Sequence, residues 1–296
     1  MSAAISLRNV VKTFGPTRAL DGLDLEVATG EVHAYLGPNG AGKSVTIRTV
    51  LGLIRHDSGE ATLLDGDPWR DAVELHRRLA YVPGDVSLWP NLSGGEIIDY
   101  FARLRGGVDQ AKRDEFIERF ELDPHKLAAT YSKGNRQKVA LVIALSSEAE
   151  LLILDEPTSG LDPLMETVFQ DAIIEVAKEG RTVFLSSHLL AEVEKLADRV
   201  TIIRNGKAVQ RGTLDDLRTT TRTSVTVSTD LIVEGLSTMD GVHSVRTDET
   251  HLHFEVDGAA LGEAMAHLAT FGIRSLVSRP PTLEELFMRE YGEQVH

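Results

Sequence analysis

The sequence predicts an α/β fold with an antiparallel β subdomain and a helical insert, followed by a small C-terminal α+β domain of ferredoxin-like order. Three observations carry this expectation. A glycine-rich stretch, Gly37 to Ser44, sits between a short apolar run and a helix-periodic segment. A second apolar run, Leu151 to Leu154, ends in the acids Asp155 and Glu156, and beyond Gly212 strand and helix patterns follow one another in a new order. The first domain is set at residues 1–217, with a helical subdomain at about 91–148, and the second at 218–296.

The glycine-rich stretch, Gly37, Pro38, Asn39, Gly40, Ala41, Gly42, Lys43 and Ser44, fits G-x-x-x-x-G-K-[ST]. Glu31 to Leu36 before it is short and apolar. After it, Val45, Ile47, Val50, Leu51 and Leu53 are spaced as on a helix. Strand, glycine loop and helix form the context in which this motif cradles phosphate. Glycines allow a close backbone approach that a Cβ blocks, so successive N–H groups point at phosphate oxygens from the positive end of the helix. Lys43 then bridges the β- and γ-phosphates, the Ser44 hydroxyl ligates Mg²⁺, and Val45 closes the candidate set.

Composition narrows the class. With 296 residues, 42% hydrophobic and 26% charged, the chain is globular and long enough for one large and one small domain. It has no cysteine, which excludes disulfides, thiolate metal sites and a cysteine nucleophile. The balance of 31 basic against 45 acidic residues gives −14, so no nucleic-acid partner is expected. The N-terminal residues lack a signal-peptide pattern and the apolar runs are far shorter than a membrane span, so a soluble protein is expected, with any membrane role left to a partner.

In chain order, Ile5 to Phe14 and Leu20 to Val27 read as antiparallel strands. Phe14, on a turn-like Thr-Phe-Gly-Pro, either stacks on a nucleotide base or packs inward. Gly59 to Leu64 is a strand ended by turn formers Asp65 and Asp67, Val73 to Leu79 a helix, and Ala80 to Gly84 a strand running into a loop. Glu96 to Leu104, Ala111 to Phe120 and Gln137 to Leu145 have helical periodicity and make the insert. Strand Leu151 to Leu154, helix Leu164 to Lys178, strand Arg181 to Ser186, helix Leu189 to Ala197 and a hairpin about Asn205-Gly206 complete the first domain.

The acid-tipped strand supplies what the phosphate loop lacks. A carboxylate at the C-terminal end of a buried parallel strand can hold the Mg²⁺ shell, assigned to Asp155, and Glu156 can orient or deprotonate an attacking water. His188 follows a strand and can contact the γ-phosphate or that water, although an ordinary surface histidine accounts for the residue taken alone.

These motifs, in this order, resemble the ATP-binding subunits of ABC transporters over about residues 1–215, with Ser159-Gly-Leu-Asp162 and His188 adding to the P-loop and Leu151 to Pro157. Two stretches compete for the family's signature, Leu-Ser-Gly-Gly-Gln. Leu92-Ser-Gly-Gly-Glu96 matches better by letter, but Ser93 and Glu96 have a simpler account as a helix capping box. Tyr131-Ser-Lys-Gly-Asn135 opens the helix just before the acid-tipped strand, where the family places its signature, so Ser132, Gly134 and Asn135 are taken as phosphate contacts. Lys133 there replaces glycine. The family's Q-loop glutamine is replaced by Gly84 in Tyr81-Val-Pro-Gly-Asp85, and Asp85 either substitutes on Mg²⁺ or is a solvated turn residue.

The resemblance implies an ABC-type ATPase of the P-loop NTPase fold, with ATP and Mg²⁺ as ligands. It further implies a head-to-tail homodimer with Asp162 at the interface, driving a separately encoded integral-membrane subunit from the cytoplasmic face of the membrane. The Pro-Gly-Asp form resembles a subgroup of bacterial drug and antibiotic exporters. A soluble ABC ATPase acting on ribosomes or DNA is the rival, opposed by the single nucleotide site and the acidic charge. A P-loop GTPase or kinase is opposed by the missing Asn-Lys-x-Asp motif.

After the Thr219 to Thr223 linker, strand Ser224 to Ser228, a short helix at Leu231 to Leu236, strands Val242 to Arg246 and His251 to Val256, helix Ala259 to Phe271 and strand Ile273 to Val277 give a ferredoxin-like order. Thr282 to Tyr291 reads as a last capped helix. His251 and His253 share a strand face, read as solvated and not as a metal site.

Overall fold

The computed structural model describes residues 2–105, 107, 109–187, 190–219, 222–248 and 251–279. His188, Leu189 and the expected last helix lie outside the described residues. The chain divides into two compact units, Met1–Arg211 and Gly212–His296.

The first unit runs β1 (Ala3–Phe14), β2 (Thr17–Ala28), β3 (Val32–Leu36), α1 (Lys43–Val50), β4 (Ser58–Leu63), α2 (Ala72–Arg78), β5 (Leu79–Val82), α3 (Gly94–Leu104), α4 (Gln110–Arg119), α5 (Lys133–Leu145), β6 (Leu151–Asp155), α6 (Pro163–Lys178), β7 (Thr182–Ser187), α7 (Leu190–Leu196), β8 (Arg199–Arg204) and β9 (Lys207–Thr213). β1 pairs antiparallel with both β2 and β4 in a sheet of order β2-β1-β4. The larger sheet has order β5-β6-β7-β3-β8-β9, and its neighbours from β5 through β8 are parallel. β3 and β6 are buried at every residue, which is what a parallel strand covered on both faces requires. They show no alternation of inside and outside, whereas β2 buries Leu20, Leu23, Leu25 and Val27 on one side against α1.

Several helix ends differ from the periodic reading. α1 stops at Val50, because Gly52 turns the chain with φ 66° and leaves Leu53 exposed. α5 begins at Lys133, four residues before the Gln137 at which the helical periodicity is read to start, because Ser132 caps it by accepting from Asn135 N at 3.2 Å. Ser93 and Glu96 form the expected capping box on α3, with Ser93 N donating to Glu96 Oε2 at 2.7 Å and Glu96 N to Ser93 Oγ at 3.2 Å.

The second unit contains α8 (Leu214–Thr219), β10 (Thr223–Thr229), β11 (Val242–Thr247), β12 (Leu252–Val256), α9 (Leu261–Ala269) and β13 (Ile273–Arg279). The stretch that follows Arg211 holds α8, capped by reciprocal Thr213 and Asp216 bonds. The sheet is antiparallel, of order β11-β12-β10-β13, with Val225, Val227, Phe254 and Val256 packed on Ala264 and Leu268 of α9. The helix expected at Leu231 to Leu236 is absent. Leu231 and Ile232 are exposed, and only a 3-10 turn, Leu236–Thr238, forms there, because Leu236 alone of the three reaches the core. His253 is fixed between Thr226 Oγ1 at 3.0 Å and Asp248 Oδ2 at 2.8 Å. Among the described residues no group of three metal-ligating side chains converges.

Candidate nucleotide-binding and hydrolysis site

The P-loop joins the end of β3 to the start of α1. Gly42 caps the helix in a left-handed conformation, φ 113°, and a Cβ there would stand 2.8 Å from the Ala19 carbonyl oxygen, so only glycine fits. No side chain caps α1 and no acid lies in its first turn, which leaves its N–H groups and the positive end of its dipole to an anion. Lys43 is buried and its ammonium donates to Gly37 O at 2.5 Å and Pro38 O at 3.3 Å.

Asp155 and Glu156 arrive at the end of β6. Asp155 is buried, its Oδ1 accepts from Ser186 Oγ at 2.6 Å, and its Oδ2 lies 3.4 Å from Ser44 Oγ. A hydroxyl and a carboxylate oxygen this close are hard oxygen donors of the kind Mg²⁺ takes, so Ser44 and Asp155 fit the ion. Glu156 turns the other way, with φ 48°, and its Oε1 is 3.7 Å from Lys43 Nζ. Its N–H is held by Ser186 O and Ser186 Oγ, both at 3.1 Å. The carboxylate read as base and the lysine read as a phosphate contact therefore meet in one cleft, of about 390 Å³, which Pro38, Asn39, Gly40, Gly42, Ser44 and Val45 also line.

Other expected site residues lie apart from it. Phe14 is exposed, does not line the cleft, and has the Lys12 ammonium 5.4 Å from its ring centroid. Gly84 abuts Asp155, since a Cβ on it would lie 3.1 Å from the Asp155 carbonyl oxygen, while Asp85 is exposed. The Ser132 to Asn135 stretch packs on the segment after Glu156. An added Cβ on Gly134 would overlap the Gly160 carbonyl oxygen, and buried Gln137 donates Nε2 to Pro157 O at 3.0 Å. Asp162 caps α6, accepting from Leu164 N and Met165 N.

The sequence reading passes over several participants. Thr17, Arg18 and Ala19 at the start of β2, and Asn205 and Gly206 in the turn between β8 and β9, line the cleft, and their residue types do not mark them for it. Ser186 organises both acids; the serine pair ending the apolar β7 is the signal that could have found it. Glu192, on α7, is only 4% exposed. It accepts from Ser187 Oγ at 2.7 Å through Oε2. Burial pushes its carboxyl up to about 7, with the charge of Glu166 adding to the effect and the hydroxyls of Ser187 and Thr158 opposing it.

A family model described as ABC transporter matches residues 20–159, and one described as the C-terminal domain of DrrA1-3-like ATP-binding proteins matches residues 212–291. The daunorubicin resistance ATP-binding protein DrrA3 of Streptomyces coeruleorubidus is 33% identical, over 98% of this chain and 96% of the relative. The chain belongs to the ATP-binding subunits of ABC transporters. The bacitracin transport ATP-binding protein BcrA of Bacillus licheniformis is 35% identical, over 74% of this chain and 72% of that protein. A solved ATP-binding subunit of an ABC transporter is 30% identical over 73% of this chain and 92% of its own, with a TM-score of 0.67. A dimeric ATP-binding cassette with ADP and Pi, 23% identical over 71% of this chain and 98% of its own with a TM-score of 0.64, shares the fold. As a member, this ABC ATPase binds and hydrolyses ATP with Mg²⁺ and works as a transporter subunit beside separate membrane subunits. No helix among the described residues is long and apolar enough to cross a membrane.

Proposed function

We propose that this subunit powers the export of a drug or antibiotic, acting as a homodimer on the cytoplasmic face of a membrane transporter. The meeting of Lys43, Ser44 and Glu156 in one cleft, with Asp155 buried 3.4 Å behind the Ser44 hydroxyl, is the observation that carries the hydrolytic part of this reading. The export class is supported by full-length similarity to a daunorubicin resistance protein and by the matched C-terminal domain.

In this reading the α1 N-terminus and Lys43 hold the β- and γ-phosphates. Ser44 and Asp155 would hold Mg²⁺, which would supply charge that offsets the negative charge of the phosphates. Glu156 takes a proton from water as the water oxygen bonds to the γ-phosphorus and the bridging bond to the β-phosphate breaks, leaving ADP and phosphate. Ser132, Gly134 and Asn135 close on the nucleotide of the second copy, and His188 contacts its own γ-phosphate or the water. For the membrane subunit, a pocket of about 410 Å³ at Trp89, Pro90, Asn91, Leu92 and Tyr100 offers an apolar anchor. It begins a few residues after Asp85, in the chain leading away from the Asp155-abutting loop.

The test is to find a multi-span membrane protein that co-purifies with the chain from its source membranes and to express the two together in inverted vesicles. ATP-dependent uptake of a fluorescent anthracycline or labelled peptide antibiotic is expected, and is lost in Lys43→Ala. ATPase activity without uptake of any such compound would refute the export class alone.

A further inference from the structure

Lys133 stands where the family signature has glycine, and no role described above uses it. Its ammonium donates to Ser159 Oγ at 2.6 Å, and its stem lies over Gly160, where an added Cβ would be 3.3 Å from Lys133 Cγ and Cδ. Ser159 in turn donates its backbone N–H to the Glu156 carbonyl at 3.1 Å. Lys133 thus ends a chain of contacts that begins at Glu156.

Glu156 needs such a chain. A left-handed backbone at φ 48° is unfavourable for a residue with a Cβ and persists only where its neighbours fix it. Ser186 fixes the Glu156 N–H from one side. The Ser159 turn fixes its carbonyl from the other, and Lys133 fastens that turn to the start of α5. A cation in the first turn of α5 faces the positive end of the helix dipole, with no acid in that turn to offset it. The bond to Ser159 is the compensation that the geometry shows.

We propose that Lys133 is a positioning residue for ATP hydrolysis: through Ser159 it holds the turn that sets the Glu156 carboxylate in the cleft. The inference rests on Glu156 acting as the base, and Glu156→Gln in the same assay tests that assignment by itself.

The experiment is a double-mutant cycle on steady-state ATPase activity of the full chain, using Lys133→Ala, Ser159→Ala, the pair, and Lys133→Arg as the conservative variant. Each alanine variant should lower kcat roughly 3- to 30-fold with KM for ATP within about twofold, and the pair should be no slower than the worse single variant. Lys133→Arg should recover most of the rate. Effects that multiply in the pair, or an unchanged kcat in Lys133→Ala, would overturn the proposal. So would a raised KM with kcat intact, which would place the ammonium on a nucleotide phosphate of a second copy. Lys133 is exposed, and the fluorescence of Trp69 and Trp89 reports whether each variant is folded. If Lys133→Ala unfolds, the arginine variant decides, since a low kcat there would refute a contact that any long cation can make.

Discussion

Glu192→Gln replaces a buried carboxyl with an uncharged group of the same shape. Burial raises the Glu192 carboxyl from 4.5 to about 7, and that separation corresponds to on the order of 3 kcal/mol. Between those values the folded chain keeps a proton that the unfolded chain releases, so stability falls as pH rises from 4.5 to about 7 and levels off above it. The amide cannot ionise, and its oxygen still accepts from Ser187. At pH 8 the variant should therefore resist unfolding more than the parent by up to ~3 kcal/mol, and at pH 5 by less than ~1 kcal/mol. Urea titrations followed by tryptophan fluorescence measure this in the first unit alone, because both tryptophans, Trp69 and Trp89, lie there. A variant-to-parent difference that is the same at pH 5 and pH 8 would refute the reasoning and move the titration to another group.

Glu156→Gln should lower turnover by roughly 10²- to 10⁴-fold while ATP binding survives, and sedimentation with ATP should show dimer accumulating. Ser93→Ala should cost on the order of 1 kcal/mol in urea with ATPase activity per folded molecule kept, whereas Gly134→Ala, which presses on Gly160, should suppress turnover and leave nucleotide binding at Lys43 measurable. Asp85→Ala should raise the Mg²⁺ concentration for half-maximal rate and Asp85→Asn should do so less; an unchanged Mg²⁺ dependence in both returns Asp85 to a surface turn. Arg181 donates to Ala149 O at 2.7 Å and to Leu145 O and Ala144 O at 3.4 Å, and Ser147 Oγ also serves Ala144 O, so Arg181→Ala strips the guanidinium from Ala149 O and Leu145 O and should lower stability by roughly 2–3 kcal/mol in the same urea assay.

What was legible in the sequence was local or strongly patterned. The P-loop is contiguous, the capping box spans four residues, and β6 is apolar throughout before its acids, so each announces itself within one short window. The Asn205-Gly206 turn was equally plain, since both residues take positive φ as a two-residue hairpin demands. Ser186 and the lining from Thr17 to Ala19 were hidden because they act through β-sheet neighbours remote in the chain. The Leu231 to Leu236 helix failed for the opposite reason. Its apolar spacing looked like a buried face, yet Leu231 and Ile232 remain in solvent, and periodicity does not say which apolar residues have something to pack against.

The phosphate loop is braced by residues that lie far downstream. Gly206 donates its N–H to Ala41 O and accepts from Asp21 N, both at 2.9 Å, and Ile203 O lies 2.6 Å from where a Cβ on Gly37 would stand. During vectorial synthesis the loop leaves the ribosome early, while β8 and its turn emerge only after nearly all of the first unit. Until then the nascent loop has β2 behind Gly42 but lacks the β8 side of its support. A prematurely terminated fragment that carries the whole motif but ends before Asn205 is therefore an incomplete receptor, without the turn that lines the cleft and braces Ala41.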